Sequence, residues 1–449
     1  MEETMSMRSH GDGTATLSER ERRPAAWAQD AAAVIMRRCD ELAAFSDMPS
    51  GIERLYLSPE MSRAYELTAG WMREAGMDVH VDPAGNLVGR VEGREPGLPA
   101  LILGSHLDSV PDAGRYDGIL GVVSSVAVVR SLVREGMSGR LPFALEVVAF
   151  GDEEGARFGA TLLGSYALAG GWKDEWLDLR DAAGTSMRQA FLDFGLDPDR
   201  VGEAALDRSQ AVGYLELHIE QGPILEQRDR ALSSVSSIAA ASRYMVTIEG
   251  ESRHIATPYD LRRDALTAAA EMIQAVDSIS REAGTRANVG EISAEPGGVN
   301  VIAGRTVFSL DVRAGTDSDR DEVFDAIWRA FDGIAERRRV MVSHRLIHTA
   351  DAVVCDADLR ACIEEGVEQA EGKPAFGLVS FPGHDGMAVA ELLPIAMLYV
   401  RCRGGISHSP DEAVREADVA YGVDAFHRAV LSVAKRMTVA EPRVVSSTE

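Results

Sequence analysis

Five widely separated stretches of this chain each set a possible metal ligand beside a glycine turn or an apolar strand. They are His106 in Gly104-Ser105-His106-Leu107-Asp108, Asp117 in Tyr116-Asp117-Gly118, Glu153 and Glu154 in Asp152-Glu153-Glu154-Gly155, His218 in Leu217-His218-Ile219-Glu220-Gln221-Gly222, and His408 in Gly405-Ile406-Ser407-His408. Three histidines and several carboxylates can hold two divalent ions a few ångströms apart if one carboxylate bridges them and another stays free to carry a proton. The set supplies a residue for each of these roles, which is the pattern of a two-metal hydrolase.

Strand and helix alternate around these ligands. Apolar runs at 78–81, 86–91, 100–103 and 144–150 predict strands, with a helix over 119–135 between the last two. Helical spacing also begins near Trp27 and runs through Ile35, Met36 and Leu42, and a second helix covers 59–74, closed by Gly76. This βαβ grammar predicts an α/β fold with a mostly parallel sheet. His106, Glu153, Glu154 and His218 fall at the carboxyl ends of apolar strands, where open α/β sheets place their ligands. From about Ser236 the pattern changes to amphipathic strands at 243–248, 288–292, 306–312 and 339–348 and helices at 264–283 and 319–337, a separate α+β module. Helices over 358–369 and 411–437 and a strand at 395–400 then resume the first style. The expected organisation is a polar, poorly ordered extension (1–25), a catalytic domain in two parts (26–235 and 349–449), and an inserted α+β lid or dimerisation domain (236–348).

With 449 residues the chain exceeds what one core usually serves, in line with two domains. Its formal charge of −25 argues against a nucleic-acid partner, which needs a cationic surface. The longest apolar runs, 98–103 and 392–400, are far below the roughly 18 residues of a membrane-spanning helix, so no membrane association is expected. Cys39, Cys355, Cys362 and Cys402 have neither CxxC nor zinc-ribbon spacing, and a cytoplasmic location is the simplest reading. An anionic substrate would approach against the protein's own field, and local arginines and the metals would have to offset it.

Within the ligand segments, the carboxylate of Asp108 is two residues beyond His106 and can reach its other ring nitrogen, fixing the tautomer; a surface carboxylate is the plain alternative. Asp117, in a glycine-flanked turn before a helix, can bridge two ions or simply cap the helix. Adjacent Glu153 and Glu154 would repel if both served one spot, so Glu154 is assigned to metal and Glu153 to general base and acid.

These segments resemble the amidase, hydantoinase and carbamoylase branch of the metal-dependent aminoacylase and carboxypeptidase superfamily. The most specific strings are Leu217-His218-Ile219-Glu220-Gln221-Gly222-Pro223, Asp152-Glu153-Glu154-Gly155-Ala156-Arg157-Phe158 and Gly404-Gly405-Ile406-Ser407-His408-Ser409-Pro410. The resemblance implies His106, Asp117 and His218 at one metal, Asp117, Glu154 and His408 at the other, zinc or manganese as the ions, and Glu153 as the residue that activates water. It also implies Asn300 and Arg313 as a carboxylate-binding pair, Gln221 and His254 as contacts on the carbonyl side, and a homodimer in which His254 reaches a neighbouring subunit. The implied substrate is a small ureido or N-carbamoyl anion. Allantoate comes first, because Met36-Arg37-Arg38-Cys39-Asp40-Glu41-Leu42-Ala43 and Tyr56-Leu57-Ser58-Pro59-Glu60 resemble allantoate amidohydrolases most, and N-carbamoyl-L-amino acids and N-carbamoyl-β-alanine follow. Two departures stand out. The segment His254-Ile255-Ala256-Thr257-Pro258-Tyr259-Asp260 stands where the branch usually shows His-Ala-Gly-Thr-Thr-Pro-Met, with one residue fewer before Arg263-Asp264-Ala265, and Val400-Arg401-Cys402 replaces a common Val-Pro-Ser. Ile255 could reshape the pocket, and Arg401 either adds charge near substrate or lies on the surface. A dipeptidase or deacylase on the same scaffold is the second reading, and a non-catalytic binding protein the third.

Overall fold

The computed structural model describes residues 23–440, so residues 1–22 of the expected N-terminal extension lie outside the described residues. The first part of the chain supplies strands β1 (Asp78–Val81), β2 (Leu87–Val91), β3 (Ala100–His106), β4 (Ala144–Phe150), β5 (Ala211–Ile219) and β6 (Leu232–Ile238). A second group follows: β7 (Ala240–Glu249), β8 (Arg253–His254), β9 (Arg286–Asn288), β10 (Ile292–Glu295), β11 (Val301–Ile302), β12 (Arg305–Ala314) and β13 (Met341–Ala350). Last come β14 (Val353–Val354), β15 (Gly377–Ser380) and β16 (Ile395–Val400).

The large sheet runs β1-β2-β4-β3-β5-β16-β6-β14, with β15 also on β6. Its centre, β4-β3-β5-β16, is parallel, while β1, β2 and β14 pair antiparallel toward the edges. All residues of β3 and β16 are buried, as expected of strands covered on both faces. Helices α1 (Ala26–Leu42), α2 (Pro59–Glu74) and α3 (Ile119–Arg134) precede the short α4 (Leu163–Leu168), α5 (Met187–Phe194) and α6 (Ile224–Gln227). Helices α7 (Ala265–Glu282) and α8 (Asp317–Arg338) belong to the second group, and α9 (Ala357–Glu371), α10 (Gly386–Val389) and α11 (Glu416–Ala440) follow it. One apolar cluster joins α1, α3, α9 and α11 to the sheet, and another fills its opposite face. Gly121 lets α3 sit close against β5, since a Cβ there would come 2.2 Å from the Leu217 carbonyl oxygen.

The second sheet runs β10-β12-β7-β13, with β9 on β12, and buries one face against α7 and α8. Burial along β12 alternates strictly, so its other face is free to look elsewhere. The chain leaves the large sheet at Ile238 and enters the small one at Ala240, and it returns between Ala350 and Val353. The boundaries expected from the sequence, 236 and 348, lie inside β6 and β13, because the change of sheet is made by a backbone step that leaves the apolar pattern unbroken. The strand expected over 288–292 divides into β9 and β10, and Gly290 and Glu291 donate their N–H groups to the Ser309 hydroxyl between them. Between β4 and β5, the short helices form a cluster with Tyr56 and Leu57 that no period in the sequence announces. All four cysteines are free and buried, and no described helix is long and apolar enough to cross a membrane.

Candidate metal centre and substrate cavity

The parallel register aligns the ligands. His106 closes β3 opposite Phe150 of β4, Glu153 and Glu154 follow β4, and His218 sits near the end of β5. His106 Nδ1 lies 3.0 Å from the Asp108 carbonyl oxygen and His218 Nδ1 2.9 Å from that of Ile219. A carbonyl accepts only, so each Nδ1 carries a proton and, in the neutral ring, each Nε2 lone pair faces inward. Both meet Asp117 Oδ1, at 3.6 Å from His106 and 3.1 Å from His218. His408 Nε2 approaches from the other side, 3.2 Å from Asp117 Oδ2 and 3.4 Å from Glu154 Oε1.

Four groups of donor atoms gather within 4.8 Å among the described residues, and two of them, His106-Asp117-His218 and Asp117-Glu154-His408, share Asp117; the others are His106-Glu153-Glu154 and Glu216-His218-His384. Inward lone pairs opposite a carboxylate call for a cation between them, and this mix of imidazole and carboxylate suits zinc or manganese better than an all-oxygen magnesium site. Burial by itself would raise the Asp117 carboxyl, but when the facing rings of His106, His218 and His408 take up protons, their hydrogen bonds hold it well below the usual carboxylate range. Glu154 is pushed up to about 7 by burial and by the Asp117 charge. Glu153 is raised well above its ordinary value, mainly by burial, and Glu154, Asp385 and Asp108 add to the rise.

The carboxylate of Asp108 comes within 3.5 Å of His106 Nδ1, in reach of that nitrogen as expected, but the shorter contact to it is made by the main chain. The backbone curls so that the Asp108 carbonyl makes that contact, and the carboxylate accepts the N–H groups of Glu153 at 3.2 Å and Glu154 at 3.0 Å. Asp108 thus ties the two ligand turns together. Glu412, which sequence reasoning missed, holds Asp117. One of its oxygens accepts the backbone N–H groups of Tyr116 at 2.7 Å and Asp117 at 3.2 Å, and the other lies 2.9 Å from Ser407 Oγ. Ser407 Oγ is also 2.6 Å from Asp117 Oδ2, and Gln221 Nε2 donates to that oxygen at 2.7 Å. Gly118 has φ +68°, and a Cβ there would lie 2.4 Å from the His106 ring, so the turn after Asp117 needs glycine.

A cavity of about 750 Å³ opens over these residues and is lined by His106, Asp117, Glu153, Glu154, His218 and His408 together with Gln221 and Arg313. The free face of the second sheet forms its roof. Arg243 is the cross-strand neighbour of both Asp311 and His348, and Arg243, His348 and Arg313 all line the cavity. Asp311 grips Arg313 Nε at 3.1 Å and Nη2 at 3.2 Å, and the Phe381 carbonyl accepts from Nη1 at 2.7 Å, which fixes the guanidinium plane. His384 also lines the cavity; its Nε2 lies 2.9 Å from Ser380 Oγ and 3.0 Å from the Tyr399 hydroxyl, and its ring packs on His218 at 4.4 Å.

His254 and Asn300 stand apart from this cavity. They meet each other across the β8-β11 ribbon, Asn300 Nδ2 being 3.5 Å from His254 Nε2, and both are exposed. Arg401 is not beside the substrate cavity and not on the surface either. It is 8% exposed and paired through two hydrogen bonds of 2.9 Å with Asp418 and one of 3.0 Å with Asp229.

The model of peptidase family M20/M25/M40 matches residues 102–432, a span that contains every one of these ligands. The chain belongs to that family. M20 enzymes are metal-dependent, and the donor sets around Asp117 are candidate metal-binding groups. This M20 chain is 40% identical over 404 residues to an N-carbamoyl-L-amino acid amidohydrolase of Geobacillus stearothermophilus, covering 89% of this chain and 98% of that one. It is 38% identical over 412 residues to an allantoate deiminase of Arabidopsis thaliana, covering 85% and 78%. Among solved structures it is similar to a hydantoinase/carbamoylase family amidase from Burkholderia multivorans, with a TM-score of 0.83, 30% identity, and coverage of 90% of this chain and 98% of that one.

Replacing Glu412 by Ala should weaken divalent-metal affinity by about 10–100-fold, the usual effect of losing a residue that orients a ligand. Chelator competition on folded protein measures this, with an unchanged affinity counting against the clamp.

Proposed function

We propose that the chain is a two-metal amidohydrolase that cuts a linear C–N bond in a small ureido or N-carbamoyl anion and releases ammonia. The observation that carries this reading is the placing of Arg313 in one cavity with the donor sets around Asp117 and the buried Glu153. His106, Asp117 and His218 would hold one zinc or manganese ion, and Asp117, Glu154 and His408 the other. Bound there, such ions supply Lewis acidity to a carbonyl and bring the pKa of a water toward about 7. Glu153 takes the water's proton and delivers it to the leaving nitrogen. Arg313, its plane fixed, receives the substrate carboxylate as a fork. Gln221 Oε1 is buried without a hydrogen-bond partner, so it is placed to accept an N–H of the ureido group.

Allantoate is the first candidate, because it carries a second ureido arm and Arg243 and His348 add polar groups along the same wall. N-carbamoyl-L-amino acids come next. Similarity does not separate the two, since relatives of both kinds match at 40% and 38% identity. A homodimer is part of the proposal. Ile255, Tyr259 and Val299 are exposed around His254 and Asn300, and Met341, Leu346 and Ile347 are exposed along β13, the edge strand of the second sheet. Such a surface is covered in most proteins by a partner, and a second copy would carry the His254-Asn300 pair to a neighbouring cavity. A reducing cytoplasm accords with four free cysteines.

Ammonia release by zinc- or manganese-loaded protein from allantoate, N-carbamoyl-L-amino acids and dipeptides tests the reading. One ureido substrate should be turned over, with Glu153→Gln slower by about 10²–10⁴-fold at unchanged metal content; dipeptide cleavage without ammonia would replace the proposal with a peptidase. Mixing inactive Glu153→Gln with inactive His254→Ala should restore part of the activity through mixed dimers. No recovery after subunit exchange would place His254 outside its neighbour's site.

A further inference from the structure

On the helical face of the large sheet, α1 and the last turns of α3 enclose a second cavity of about 360 Å³, lined from α1 by Trp27, Ala31, Val34 and Arg38, from α3 by Arg130 and Arg134, and also by Asp30 and Glu135. It lies at the opposite end of α3 from Asp117 and shares no lining residue with the metal cavity. Arg38 is 5% exposed. Its guanidinium lies over the Trp71 ring at 4.6 Å, and its ion-pair partner Glu74 is 3.5 Å away on a side chain that is 65% exposed. Burial, and after it the charge of Arg130, pulls the Arg38 guanidinium below its ordinary value, so the two cations act on each other across the groove. The buried Nε of Arg130 has no hydrogen-bond partner.

The carboxylates nearby do not resolve this. Glu135 accepts the Ser131 hydroxyl at 2.9 Å with one oxygen and turns the other toward His427 Nε2 at 3.6 Å. Asp30, exposed but itself lining the cavity, forms no ion pair with these arginines among the described residues. In a chain of formal charge −25, carboxylates are plentiful, yet Arg38 and Arg130 are left sharing a partly buried groove with Trp27, Ala31 and Val34. Guanidinium forks of this kind bind oxyanions through paired hydrogen bonds.

We propose that this groove is a second ligand site that takes a small oxyanion, a carboxylate or a phosphate on an apolar body, with the anionic group between Arg38 and Arg130 and the body against Trp27, Ala31 and Val34. Trp27 is held for that contact by the His427 ring, 4.9 Å away. Arg134 adds charge at the mouth.

Isothermal titration of the metal-loaded full chain with benzoate and with inorganic phosphate, each at constant ionic strength, tests the site. At least one probe should bind saturably at one site per chain, and which of them binds tells carboxylate from phosphate. Arg130→Gln and Arg134→Gln, each checked for native circular dichroism, should weaken that binding, the first by about tenfold or more, as expected for loss of a charged hydrogen bond. Arg313→Gln should leave it unchanged. Absence of saturable binding by both probes, binding that persists in folded Arg130→Gln, or binding abolished by Arg313→Gln would each overturn the proposal, the last by moving the anion to the metal cavity.

Discussion

The carboxylate of Asp117 is where the whole arrangement is anchored. Three imidazoles from three distant segments converge on its two oxygens, and it is 4% exposed. A buried carboxylate is costly unless its charge is answered, and here the answer has to come from a cation between it and the facing ring nitrogens, two of which, on His106 and His218, are oriented by far sides bound to backbone carbonyls. This makes demands outward. Gly118 must leave room for His106, Glu412 must hold the turn, and Asp108 must tie the β3 loop to the Glu153-Glu154 turn. The parallel strands β3, β4 and β5 set the separation at which these demands can be met together.

The second sheet answers a different problem. A chain with a formal charge of −25 repels anions at long range, and the cavity roof counters that locally with Arg313 and Arg243 around a single acid, Asp311. Because Asp311 is shared, it orients Arg313 without cancelling both charges. Cross-strand register creates this cluster: residues 243, 311 and 348 are far apart in the chain but are neighbours on one sheet face.

That difference explains what could be read in advance. The ligand strands were legible because strong apolar runs end in His106, Glu153 and His218, and helix α3 because its periodicity begins right after Gly118. Glu412 was not legible, since an acid in an ordinary turn carries no sign that it will cap the Asp117 loop 295 residues away. Arg243 and His348 were hidden for the same reason, their roles depending on register. Arg401 departs from the branch pattern in a way that suggested either charge near the substrate or a surface position, whereas its meaning lies in Asp418, in the first turn of a helix whose contact only the packed fold supplies. His254 and Asn300 were legible by resemblance, the first grouped with Gln221 and the second with Arg313, but the single chain leaves them beside each other on an exposed ribbon.

The most direct measurement of the central claim is the number of divalent ions bound per chain by wild-type protein and by Asp117→Asn, read by elemental analysis after zinc or manganese loading and removal of free metal. A carboxylate shared by two sites predicts two ions in the wild type and loss of both in the variant. One ion in the wild type, or a variant that keeps two, would contradict it.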